Sequence, residues 1–476
     1  MYVSTRGGEK LSASKAILKG LACDGGLFIP TKIEKLNIDE NYVNKAYTEI
    51  AFDVLRIFLD DFTDEEIKDA ISKSYNKQNF NEDFCKIKDF KEVSFLELYH
   101  GPTLAFKDMA LTMLPFLIEI AKKKNNVTDK SLILVATSGD TGGAALSSFI
   151  QNPLFDTVVL YPDGGVSEIQ EKQMLYYTNK QTKAIAVEGN FDDCQTFVKE
   201  VFANYPKNNG VILSSANSIN IGRLIPQIIY YVYVYAYSVK NGLLKLGEEF
   251  NVSVPTGNFG DIFAGYLAKM IGVPIKRFTC ASNVNNVLTK FFNQGVYDKN
   301  RKFYKSNSPA MDILISSNLE RLLYYAVGKD FNRVKECMNS LKEKGEYSLA
   351  ENEMKNLSEF TASYSTEEET LKTINKVFNK YSYLIDPHTA VAYDSYEKTE
   401  NNGLKTVIVS TASPFKFAST MALALNMDAN KGEFEIAKDI ANKAGVEIPY
   451  GIKKLMDSDN KKVVMTKEEI IKLVTY

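Results

Sequence analysis

Between residues 130 and 240, short apolar runs alternate with stretches whose apolar positions recur every three to four residues. Segments 132–137, 157–161, 183–187 and 211–214 read as strands. Segments 143–150, 167–175, 192–202 and a long stretch ending near Val239 read as helices. Such alternation predicts a parallel sheet covered on both faces. The rhythm continues with a strand at 250–254, a loop at 255–260 and a helix at 261–271, and strands resume at 405–410. The most apolar run, 224–237, is interrupted by Pro226 and Gln227 and rich in tyrosine. It is too short and too polar to span a bilayer, so a buried helix is expected.

Outside this core the pattern changes. Segments 12–20, 44–58 and 64–75 have helical spacing, with Thr63 placed to cap the third ahead of acidic residues. Gly25-Gly26 opens a turn into a short strand ending at Pro30. The expectation is a small, mostly helical N-terminal unit with no evident chemistry of its own. Residues 301–380 are charged and strand-poor, and a helical region with a polar connection at 363–369 is expected. No internal repeat stands out.

Composition narrows the classes. A chain of 476 residues accommodates two or three packed units. The net charge of −2 leaves no electrostatic footprint for nucleic acid or an anionic membrane. MYVSTRGGEK has no apolar signal-like segment, and the five separated cysteines contain no Cys-x-x-Cys pair, as expected of reduced thiols in the cytoplasm. With His100 and His388 the only histidines, no histidine-rich metal site is expected, and no Gly-x-Ser-x-Gly elbow is present.

Candidate chemistry begins at Lys107, which sits near a predicted helix start among Leu104, Ala105, Phe106, Met109 and Ala110. Desolvation favours the free amine that a Schiff-base or proton-carrying lysine needs. The alternative is a surface lysine paired with Asp108. In α/β sheets ligands gather at the carboxyl ends of strands, so the residues that follow each strand carry the information. Thr137-Ser-Gly-Asp-Thr-Gly-Gly143 offers hydroxyls and amides for a carboxylate or phosphate, or is simply a glycine turn. Thr256-Gly-Asn-Phe-Gly-Asp261 allows close backbone approach and a phosphate at a helix head, or is a tight turn capped by Asp261. It is neither a Walker nor a Rossmann loop. Residues 214–223 bring hydroxyls and amides up to Arg223, a second anion site, or else Ser218 or Asn220 caps the long helix. Thr411 ends a buried strand, where one hydroxyl could meet a cofactor edge. A phosphate cradle, a second anion site and an amine-bearing lysine together point to pyridoxal phosphate with an anionic substrate.

The segments HGPTLAFKD (100–108), ATSGDTG (136–142), SANSINIGR (215–223), VPTGNFGD (254–261) and the run 386–393 resemble the threonine synthase family, in that family's order and over nearly the whole chain. The resemblance implies an α/β fold of the type II pyridoxal-phosphate group, with two parallel-sheet domains and the cofactor in the cleft between them. It implies an N-terminal, mostly helical domain at 1–95 and a large cofactor-binding domain from 96–130 and 240–476. A smaller domain at 131–239 is inserted. The implied reaction converts O-phosphohomoserine and water to threonine and phosphate; the alternatives are a phospholyase giving a 2-oxo acid, ammonia and phosphate, or a catalytically silent binding or regulatory relative. Lys107 would carry the cofactor. Gly257, Asn258, Phe259, Gly260 and Asp261 would hold its phosphate, Thr411 would meet the pyridine nitrogen, and Asp140 would sit beside the 3-oxygen, where related enzymes often have asparagine. Thr137, Ser138 and Thr141 would bind substrate carboxylate and nearby phosphate, and Asn217, Ser218 and Arg223 the substrate phosphate. No metal, nucleic acid or membrane is implied, and a cytoplasmic monomer or homodimer is expected. One departure stands out: relatives read Thr-Ala-His-Pro-Ala-Lys-Phe where this chain has Ser413 and Phe415, so a role for that histidine does not transfer, while Thr411 and Lys416 do.

Overall fold

Two sheets of mostly parallel strands frame the molecule in a computed structural model whose described residues are 1–80, 83–150, 152–205, 210–399 and 402–475. The larger sheet runs in the order Phe360–Tyr364, Ile275–Ser282, Phe250–Pro255, Thr406–Ser410, Val93–Glu97, Lys86–Phe90. All neighbours are parallel except the last pair. Its three strands Phe250–Pro255, Thr406–Ser410 and Val93–Glu97 are buried along their whole length, as covered parallel strands must be. The edge strand Lys86–Phe90 exposes Lys86 and Asp89, charges that discourage further strand pairing.

The smaller sheet is parallel throughout, in the order Thr182–Val187, Phe155–Pro162, Lys130–Ala136, Val211–Ser214. The expected strand-then-helix rhythm is present, with helices Asp140–Phe149, Glu168–Tyr176 and Phe191–Asn204 after the first three strands in chain order. The tyrosine-rich run forms the helix Pro226–Lys240, with Tyr230 and Tyr231 fully buried. It packs against helices Tyr47–Phe58 and Gly260–Met270, so apolar residues all round it suit its place.

The N-terminal unit is less helical than the spacing predicts. Its helices Ala13–Lys19, Tyr47–Phe58 and Asp64–Ser74 lie where expected, and Thr63 and Glu66 exchange the two capping hydrogen bonds. It also holds a three-stranded antiparallel sheet of Lys10–Leu11, Tyr2–Ser4 and Phe28–Pro30. Strands this short leave little periodicity to read.

Three further differences concern limits. The expected boundary at 95/96 cuts through Val93–Glu97, a strand of the larger sheet. The region expected to be strand-poor contributes the edge strand Phe360–Tyr364, so the polar connection expected from 363 begins inside a strand. Residues expected in the large domain return to the smaller sheet: the Ala186 amide donates to Val463 O and the Met465 amide to Ala186 O, at 2.9 and 3.2 Å. Ile470 and Val474 there join one apolar cluster with Ile185, Val187 and Phe197. Among the described residues no helix is long and apolar enough to cross a membrane.

Candidate active site

The carboxyl ends of both sheets open onto a cavity of about 660 Å³. All fourteen residues expected at the site line it. They reach it for different reasons.

Lys107 is set by a folded turn. Gly101 lies so close to Asp108 that an added Cβ would fall 2.5 Å from the Asp108 Cβ. The Asp108 carboxylate accepts the Thr103 amide at 2.7 Å and hydroxyl at 2.6 Å. The Phe106 amide donates to Thr411 O at 2.7 Å, tying the turn to the end of Thr406–Ser410. Asp108 therefore organises the turn and does not pair with Lys107. Lys107 precedes the short helix Asp108–Leu111, is 8% exposed, and lies 3.3 Å from Asp140 Oδ2. Burial lowers its pKa below that of an ordinary lysine, opposed by Asp140 and reinforced by Lys416 and Arg223.

Asp140 opens the helix Asp140–Phe149. Gly139 before it has φ +132°, a value that side-chain-bearing residues rarely adopt. Burial alone would raise the Asp140 carboxyl, but Lys416 and Lys107 hold it well below the usual carboxylate range. The Thr137 hydroxyl oxygen accepts the Gly139 and Gly142 amides at 3.0 and 2.9 Å, which leaves its own proton for a ligand. Ser138 and Thr141 are half-buried on the cavity wall.

In the 256–261 turn the carbonyls face away from the cavity's amides. Gly257 O accepts Ser316 Oγ at 2.7 Å, and Asn258 O accepts the Asn318 amide and Nδ2 at 3.0 and 2.8 Å. Phe259 adopts the left-handed conformation at φ +62°, and its ring packs near Phe292 and Phe360. Its main chain, not its ring, is what a ligand can use. The first amides of the eleven-residue helix Gly260–Met270 have no intrahelical acceptor, which makes this helix head an anion cradle. The Asp261 side chain is committed elsewhere. Its Oδ1 accepts the Tyr230 and Tyr231 hydroxyls at 2.6 and 2.7 Å, Oδ2 is buried without a partner, and burial pushes its pKa up to about 6.

Arg223 is buried, and its Nη1 donates to Ala216 O at 2.6 Å. Among the described residues no ion pair involves it, and burial alone lowers its pKa to about 10. A buried cation without an anion favours an anionic ligand. Asn220, not Ser218, caps the short helix Ile221–Leu224, accepting the Gly222 amide at 2.9 Å and donating to Ile17 O at 3.0 Å. Ser218 accepts from Asn318 Nδ2 at 3.2 Å, and Asn217 is exposed. Thr411 is buried and lines the cavity beside the lysine turn, its carbonyl accepting the Phe106 amide.

Other groups complete the site. Arg321 is fully buried and donates to Phe28 O at 3.0 Å, Ile219 O at 2.6 Å and Asn318 Oδ1, joining the N-terminal sheet to the anion loop. His388 lines the cavity with Nδ1 2.7 Å from Asp386 Oδ2, and its Nε2 accepts the Ala310 amide at 3.3 Å. Gln170 donates to Asp140, and Lys416 is its closest cation. The two departures are buried: Ser413 precedes the turn Pro414–Phe417, and Phe415 packs in the apolar cluster with Ile408 and Met421. The resemblance marks Lys416 by its place in the motif after Thr411 but assigns it no partner. Residues 309–315 gave none.

Comparison with known proteins agrees with this geometry. Residues 1–75 match the family model described as threonine synthase N terminus. The chain is 37% identical over 462 residues to threonine synthase of Schizosaccharomyces pombe, covering 89% of each. It is 38% identical to human threonine synthase-like 1, of which it spans 59%. The crystal structure of PLP-bound threonine synthase from Brucella melitensis superposes with a TM-score of 0.89 at 34% identity, covering 100% of this chain and 98% of that one. The chain belongs to the threonine synthase family.

Proposed function

We propose that this protein is a pyridoxal-phosphate-dependent threonine synthase, converting O-phosphohomoserine and water to threonine and phosphate. The observation that carries the reading is the pair of anion sites flanking Lys107: a helix head with outward-turned carbonyls, and the buried, carboxylate-free Arg223. The residues fit the cofactor. Gly257, Asn258, Phe259, Gly260 and Asp261 offer main-chain amides to its phosphate, Lys107 offers a desolvated amine, and Thr411 offers a neutral hydroxyl at the ring nitrogen. When bound, pyridoxal phosphate supplies the electron sink that acidifies the substrate Cα.

Lys107 attaches the cofactor and, once displaced by substrate, moves protons at Cα and Cβ. Arg223, with Ser218 and Asn217, orients the phosphate that leaves from Cγ. Thr137, Ser138 and Thr141 hold the carboxylate, which aligns Cβ for water addition. The smaller sheet and its helices close on the larger to exclude water until that step. We place the enzyme in the cytoplasm as a monomer or homodimer, with no nucleic-acid or membrane partner. The five described cysteines are free.

The test is product analysis by proton NMR with O-phosphohomoserine and the cofactor-loaded protein. Threonine and phosphate are expected, and the Lys107→Ala variant is expected to lose at least a thousandfold in kcat, on the order seen for nucleophile deletions. A second reading, a phospholyase releasing 2-oxobutyrate, ammonia and phosphate, uses the same amine and anion sites. 2-Oxobutyrate as the main product would replace the first reading with the second.

A further inference from the structure

Lys416 has no exposed surface, yet its ammonium is fully satisfied. Nζ donates to Thr103 O at 2.8 Å and Gln173 Oε1 at 3.1 Å, and pairs with Asp140 Oδ1 at 2.8 Å. Three donors meet three acceptors. Thr103 belongs to the larger sheet's lysine turn, whereas Gln173 and Asp140 belong to helices of the smaller sheet. A buried ion pair is a poor way to gain stability, since an apolar residue of similar size does as well. The pair therefore calls for a reason in the site.

The geometry supplies one. Asp140 Oδ1 is taken from behind by Lys416 and by Gln170 Nε2 at 3.0 Å. Oδ2 is left facing Lys107 at 3.3 Å. The carboxylate thus touches two lysines, one permanent and one that gives up its free amine to the cofactor. We infer that Lys416 is a positioning residue that engages Asp140 Oδ1 and offsets part of its charge, leaving Oδ2 aimed at the nitrogen of Lys107 after cofactor attachment, so that Asp140 serves there as a proton acceptor only. Asparagine at this position would donate through its amide; an aspartate held by Lys416 cannot. The proton beside Oδ2 is then retained on the linked nitrogen or its neighbouring oxygen. This deepens the proposed function and rests on its reading of Lys107 as the attachment point. The other charged or titratable groups facing the pair are Arg223 and His388, with Asp108 near Lys416.

The test is a pH titration of the visible absorbance band of the cofactor-loaded protein. Removing the Lys416 charge leaves the Asp140 carboxylate to hold the proton on the linked nitrogen more tightly. Lys416→Met is therefore expected to move the midpoint upward by about one pH unit or more, the size expected for a charge at this range. Asp140→Asn leaves Lys416 unopposed and is expected to move it downward, and the double variant is expected to lie between the two. A Lys416→Met midpoint equal to wild type would overturn the inference. If Lys416→Met does not fold, as judged by its far-UV unfolding transition, Asp140→Asn decides alone: an unmoved or rising midpoint overturns the inference. Absence of any band in the loaded wild type, or a band that survives in Lys107→Ala, overturns the attachment reading and this inference with it. A band that forms and needs Lys107 but does not shift overturns the role of Lys416 alone.

Discussion

Two glycine-rich turns at the site, 137–142 and 256–261, follow one local plan, a parallel strand running into a helix, and differ in what holds them. The second is fixed by segments distant in the chain. Ser316 and Asn318 take its carbonyls, Tyr230 and Tyr231 take the Asp261 carboxylate, and Ala310 O leaves no space above Gly257, where a Cβ would fall 2.5 Å away. The first is fixed from within. Thr137 closes on Gly139 and Gly142, and Gln170 of the adjoining helix reaches Asp140. Apart from the lysine contacts to Asp140, it can travel with the smaller sheet. A turn locked into the larger sheet suits a resident cofactor, and one held only by the smaller sheet's own residues suits a substrate that arrives and leaves.

The largest expected effect tests the anchor under the locked turn. The Asp261 carboxyl is raised to about 6 by burial. Below pH 4 it is protonated in both folded and unfolded chains. Between about pH 4 and 6 the unfolded chain ionises first, so stability falls as pH rises, by about 3 kcal/mol in total for a two-unit shift. Asp261→Asn should remove that loss. Urea unfolding at pH 4 and pH 8 would show the pH difference narrowed by that amount, and parallel slopes in variant and wild type would sink the idea. Next in size, Gly257→Ala pushes a methyl into a main-chain oxygen. Overpacking of about 1–3 kcal/mol should weaken cofactor binding roughly tenfold to a hundredfold, measured by absorbance titration. The smallest effect belongs to the 137–142 turn. Thr137→Ala removes two accepted hydrogen bonds of about 1 kcal/mol each and should raise KM for the phosphorylated substrate about tenfold. Cofactor affinity should stay within about twofold, with Thr137→Ser restoring KM. If Gly257→Ala altered only KM, or Thr137→Ala mainly cofactor affinity, the assignment of the two turns would be reversed.

The site was largely legible because the loops after parallel strands carry it, and those loops have distinctive residues. Lys107, Arg223 and the 256–261 turn could each be argued from their neighbours in the chain. What could not be read is what reaches them from afar. Asp261 looked like a phosphate ligand, and only the fold brings Tyr230 and Tyr231 to its carboxylate. Arg321 sits in a helix of ordinary pattern, yet it joins Phe28 to Ile219. The strand Phe360–Tyr364 reads Phe-Thr-Ala-Ser-Tyr, too polar and too short to stand out, because it lies at a sheet edge. The resemblance carried the fold class, while the unit limit at 95/96 followed motifs and missed the sheet membership of Val93–Glu97.

The return of residues 463–465 to the smaller sheet also bears on the order in which the chain is made. The strands of that sheet lie within residues 130–214 and can pair as soon as they leave the ribosome. The larger sheet cannot, since Val93–Glu97 waits for Thr406–Ser410. Ala186 then waits longer still for Val463 and Met465. For most of synthesis the finished small sheet rides on an unfinished large one, with its outer edge at Thr182–Val187 open. Chaperone or aggregation contacts during that interval are expected at this edge and not at the catalytic cleft, which does not exist until Thr411 has been added.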